Sequence, residues 1–127
     1  MRVLAVLAVI VALIVPAAAE DRQRALAVEL YGKIADAAEI FTDAVKAGDV
    51  KAIDKKAIPL LQIAVRDYFD RRTEPDPYSS CAAAANTFVQ YMFDTIDPPS
   101  AQRIKAMRQD LASFNEWQDD CDRQIEQ

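Results

Sequence analysis

Residues 79–96 read SSCAAAANTFVQYMFDTI, and the reading of this stretch decides the fold. It carries a single charged residue, Asp94. Cys81, Ala84, Ala85, Phe88, Val89, Tyr91, Met92, Phe93 and Ile96 place apolar surface around most of a helical circumference. Only Asn86, Thr87, Gln90 and Asp94 form a polar stripe. A helix that is apolar nearly all round is a buried one. The stretch is therefore expected to be the inner helix of a small bundle.

Downstream, Asp97-Pro98-Pro99-Ser100 ends that helix and starts the next, since proline is tolerated in a first turn. The last helix carries the cleanest heptad in the chain: Ile104, Met107, Leu111, Phe114, Gln118, Cys121 and Ile125, with Trp117 at its edge.

Upstream, TEPDPY (residues 73–78) is an irregular connection, and Ser79 or Ser80 is expected to cap the inner helix. Before it, Ile53, Ala57, Leu60, Leu61, Ala64, Val65, Tyr68 and Phe69 mark the inner side of a second helix closed by Arg71-Arg72. Pro59 lacks the N–H a helix needs, so a kink or a break is expected at Ile58-Pro59. The first helix is expected from about Asp21 to Ala47, on the steps of Tyr31, Ile34, Ala38, Phe41 and Val45, with Glu29–Lys33 as an exposed pair one turn apart. Gly48 suits the left-handed position after its last turn, and Asp49 suits the cap of the next helix. The sum is an all-α, four-helix up-down bundle with a kinked second helix.

The chain opens with Met1-Arg2, an apolar run of 13 residues from Val3 to Val15, then Ala17, Ala18 and Ala19 before Glu20. A basic start, a short apolar run and a small-x-small end predict a secretory signal peptide over residues 1–19, cleaved after Ala19. The run is shorter than the roughly 20 residues a spanning helix needs. A single domain over residues 20–127 would remain, periplasmic or secreted, with no membrane attachment after cleavage.

Removing Arg2 leaves 14 basic residues against 20 acidic ones. That balance argues against nucleic acid, whose phosphates need Lys and Arg, and permits a basic protein partner. The two cysteines, Cys81 and Cys121, predict an intramolecular disulfide in an exported protein. Straight helices turning at Asp97-Pro98 would miss by about 10 Å, at ~1.5 Å per residue. The expectation is thus a frayed start at Cys81 or a bend near Ser113–Asn115.

The chain has no histidine and only these two cysteines, which removes the commonest general base and the ligands of a zinc or haem site. The cysteines are 40 apart, so they are not a Cys-x-x-Cys redox pair. Asp119, Asp120 and Asp122 lack the spacing and glycine of a calcium loop. No cofactor or metal is expected.

The function expected is non-enzymatic protein–protein binding in an inhibitor, immunity or chaperone-like role, with a protein partner or self-association. The rivals are a small-ligand carrier with a cavity between helices and a carboxylate-dependent hydrolase. The candidate surface is Asn86, Thr87, Gln90, Phe93 and Asp94. Either flanking helices cover most of this stripe, or it meets a second chain, where depleted charge beside aromatic residues is the expected composition.

Overall fold

A computed structural model describes the backbone of residues 2–126 and the side chains of residues 20–126. Helix α1 (Arg2–Ala47) begins before the expected start at Asp21. Helix α2 (Val50–Ala52), a π-helical turn (Ile53–Ala57) and α3 (Ile58–Arg71) follow one another without a gap and act as the second rod. Helices α4 (Ser79–Ile96) and α5 (Ala101–Glu126) complete an all-α small bundle. The expected signal peptide and its cleavage after Ala19 fall on residues 1–19, outside the described side chains.

The first turn forms as its residues predict. Gly48 takes φ +66°, which frees the chain to reverse. The Asp49 N–H donates to Ala44 O and the Gly48 N–H to Val45 O, the pair of bonds that closes a helix end with a left-handed glycine. The Asp49 carboxylate then accepts from the Ala52 N–H at 3.1 Å, capping α2.

The proline acts one turn earlier than expected. Pro59 sits in the first turn of α3, and the distortion lies at Ile53–Ala57. Pro59 cannot donate to the carbonyl four residues back, and its ring would press on it. Widening the preceding turn relieves both: the Ile58 N–H bonds to Ile53 O, five residues back. The extra residue also keeps Ile53, Ala57, Ile58, Leu61, Val65 and Tyr68 buried on one side of the rod.

Helix α4 is the inner helix, packing against α1, α3 and α5. Cys81, Ala82, Ala84, Ala85, Phe88, Val89 and Met92 are buried along it. Phe88 joins the layers: its ring meets Phe41 of α1 edge-on at 5.7 Å and stacks on Phe114 of α5 at 5.0 Å. Neither serine caps α4. Tyr78 holds the cap position, and Ser80 is buried.

Helix α5 is placed differently. The disulfide and the Phe88–Phe114 stack set one antiparallel register. Cys81 lies 15 residues from the end of α4, whereas Cys121 lies 20 from the start of α5. Helix α5 therefore overhangs the end of α4 by five residues, about 7.5 Å at ~1.5 Å per residue. Asp97 is extended, and four residues at ~3.3 Å each carry the chain far enough outward for α5 to begin beyond α4. Ser100 then caps α5 by accepting from the Arg103 N–H at 3.1 Å. Cys81 lies inside α4 rather than at a frayed start, and α5 runs unbroken past Ser113–Asn115. The overhang resolves the mismatch.

Only Cys121 is buried on α5, and Ile104 and Leu111 of the heptad are each 42% exposed. The row Met107–Phe114–Cys121 faces α4, and the neighbouring row points toward α1. Helix α1 touches α5 only slightly, near Tyr31. The Asp122 carboxylate beside the Tyr31 hydroxyl raises its phenol pKa above the ordinary value. At the level of Leu111 nothing comparable covers the outer row.

Candidate functional site

The two cysteines are joined. The S–S distance is 2.06 Å and the Cα atoms are 4.7 Å apart, tying the first turn of α4 to the last turns of α5.

The residues expected to form an interaction surface divide into two groups. Asn86, Gln90 and Phe93 line a shallow depression of about 350 Å³, shared with Gln62, Val65 and Arg66 of α3 and Val89. Asn86 and Gln90 are exposed, and the Phe93 ring is 39% exposed. Thr87 and Asp94 are half-buried and do not line this depression. The Thr87 hydroxyl donates back to Ala83 O at 2.8 Å, so its polarity is spent within α4. Asp94 faces Asp110 of α5 closely enough to perturb its carboxyl. Partial burial, then the Asp94 partner, pushes the Asp110 carboxyl above its ordinary value of 3.8. The register set by the disulfide brings Trp117, 41% exposed, level with Asn86 on the adjacent helix. The Phe93 ring thus borders a polar strip whose one charged lining residue is Arg66, on a stapled frame.

A second feature was not legible in the sequence. The 73–78 connection is latched by Gln23 of α1, a buried residue whose side-chain oxygen accepts from the Thr73 N–H at 3.1 Å and whose amide donates to Pro75 O at 2.8 Å. Asp76, its side chain only 2% exposed, accepts from the Tyr68 hydroxyl at 2.7 Å and from the Tyr78 N–H at 2.9 Å, and pairs with Arg72 at 3.4 Å. Burial and then this carboxylate push the Tyr68 phenol well above its ordinary range. Arg72 also lies 4.3 Å over the Phe69 ring. Every buried polar group of the latch is satisfied, which makes it a fixed corner. Asp76 has a neighbour signal in sequence, an aspartate between two prolines. Gln23, 50 residues from Thr73, has none.

The outer groove between α1 and α3 encloses about 370 Å³, with Leu26, Leu30, Leu60, Ile63 and Ala64 among its lining. Arg71 pairs with Glu29 at 3.4 Å and Asp67 at 3.0 Å, linking the two helices that bound it. Glu29 therefore spends its charge on Arg71, and the expected Glu29–Lys33 pair does not form.

No group of three or more potential metal ligands lies together among the described residues, and no described helix is long and apolar enough to cross a membrane. No protein-family model, curated protein or solved structure matches this chain.

Proposed function

We propose that this chain is an exported, non-enzymatic protein that acts by binding another protein, in an inhibitor, immunity or chaperone-like role. The observation that carries the reading is the exposed Phe93 ring beside Gln90 and Asn86, in a depression that α3 completes with Gln62 and Arg66. Aromatic side chains with depleted charge are the composition of a binding patch, and a rigid surface loses little entropy when it docks. The disulfide fits an oxidising compartment. The excess of acidic residues favours a partner with a basic contact surface.

The substitution Gln90→Glu tests this surface. Gln90 is exposed, so folding stability should change by no more than about 0.5 kcal/mol. In a desolvated contact the added charge should weaken partner capture by more than about 1 kcal/mol. The same protein recovered from a periplasmic extract by wild type and by the variant in equal yield would refute the α4 surface.

The α1–α3 groove supports a second reading, a carrier of a small apolar ligand, because its lining is largely aliphatic. Native mass spectrometry of freshly purified protein would then show a co-purifying mass, displaced by Ile63→Glu. A carboxylate-dependent hydrolase finds less support. Asp94 and Asp110 face each other at the α4–α5 seam, and neither lines the α4 depression or the α1–α3 groove, where a substrate would have to sit.

A further inference from the structure

We propose that the outward face of α5 is a self-association surface, on which a second copy of this chain docks its own α5 antiparallel and crosses it at Ala112. This goes beyond the α4 surface and does not rest on it.

Four exposed charges of α5 are segregated along its length. Lys105 and Arg108 stand on the first half, Glu116 and Asp119 on the second, and all four are exposed. On a helix turning about 100° per residue, they share the side opposite the Phe114–Cys121 row that packs on α4. None of the four has an opposite charge paired with it among the described residues. Lys105 and Arg108 have no acidic residue three or four positions away on α5, and Glu116 has no basic one. Asp119 has Arg123 four positions on, but Arg123 is already paired with Asp120. The first half of the face therefore holds two cations with no local relief, and the second two carboxylates whose one cationic neighbour, Arg123, is paired with Asp120.

The spacing is symmetric about one residue. Lys105 lies seven positions before Ala112 and Asp119 seven after it; Arg108 lies four before and Glu116 four after. A two-fold axis through Ala112 then sets Lys105 opposite the partner's Asp119, and Arg108 opposite the partner's Glu116, twice over. An isologous contact requires this kind of self-complementarity. A parallel pairing would set like charges against each other, so the pattern also selects the direction. At the crossing, Ala112 is exposed and small, which lets two helix backbones approach closely. On its flank, Ile104 and Leu111, each 42% exposed, supply apolar area left open to water in the monomer. The overhang that leaves Ile104 partly uncovered within the chain is what presents it to a second one.

Two charge-reversed chains test the proposal by sedimentation. Wild type should show a concentration-dependent dimer whose dissociation constant rises at least about tenfold between ~0.05 and ~0.5 M salt. Lys105→Glu with Arg108→Glu should weaken self-association at least about tenfold, as should Glu116→Lys with Asp119→Lys, because each makes the face one sign. Mixing these two variants should restore pairing as a heterodimer. Wild type that stays monomeric at ~100 μM in low salt, or a mixture that fails to pair, would overturn the proposal. Should either variant fold poorly, a covalent probe keeps the question decidable. Ala112→Cys should oxidise to an intermolecular disulfide at least about tenfold faster than Gln102→Cys, another exposed position on α5. Equal rates would count against the crossing point. Loss of this dimer leaves the Gln90 experiment untouched, so the two surfaces fail or stand separately.

Discussion

Helices α4 and α5 carry the same kind of apolar spacing and meet different fates. On α4, Phe88, Val89 and Met92 are buried, and three neighbouring helices cover it. On α5, whose heptad is the cleaner of the two, Cys121 alone is buried and Ile104, Leu111 and Trp117 each keep about two-fifths of their surface in water. Periodicity marks which residues can enter a core. Register decides which of them do, and here register is set by the disulfide at one end and the extended Asp97–Ser100 segment at the other.

The difference should be largest for paired truncations. Met92→Ala empties a fully buried site and should cost about 2–5 kcal/mol. Leu111→Ala removes a side chain already 42% exposed and should cost under about 1 kcal/mol in the monomer. Denaturant unfolding of both variants reads the contrast; similar losses would break it.

Next in size is the staple. Cys81→Ser leaves α5 held by Phe114, Ile125 and the Tyr31–Asp122 contact, and should lower stability by about 2–4 kcal/mol. Thermal unfolding of Cys81→Ser and Cys121→Ser should give equal losses, since each removes the same bond.

Much of this contrast was legible beforehand. The ring of apolar residues on residues 79–96 identified the inner helix, the cysteine count identified the bridge, and Gly48-Asp49 identified the first turn. Each of these signals is local, or a matter of two residues. Pro59 announced a distortion but not its form. Whether a proline kinks a helix or widens the turn before it depends on which side chains must stay inside, here Ile53 and Ala57. The overhang was hidden because it depends on the backbone path of Asp97–Ser100. The latch was hidden because Gln23 meets Thr73 and Pro75 across the fold. Within the stripe, Asn86, Gln90 and Phe93 came together, while Asp94 went to Asp110, a partner fixed only by the register of α5.

The smallest effect sits at that seam. Asp110 has a raised pKa in the folded chain, so its neutral form favours folding at low pH and that advantage is lost as pH rises through the raised value. Asp110→Asn should therefore be more stable than wild type at neutral pH, by under about 1 kcal/mol because the pair is partly solvated. The gap should close as pH falls from the raised value toward 3.8. A gap that widened on acidification would reverse the sign assigned to this carboxyl pair.

Native-state hydrogen exchange tests the central claim, that α4 organises the bundle while the first half of α5 is tethered rather than packed. Amides of Phe88 to Met92 should open only with global unfolding. Those of Lys105 to Leu111, measured where the chain is monomeric, should exchange through local opening at a free energy several kcal/mol lower. Equal protection of the two segments at the global value would contradict the account.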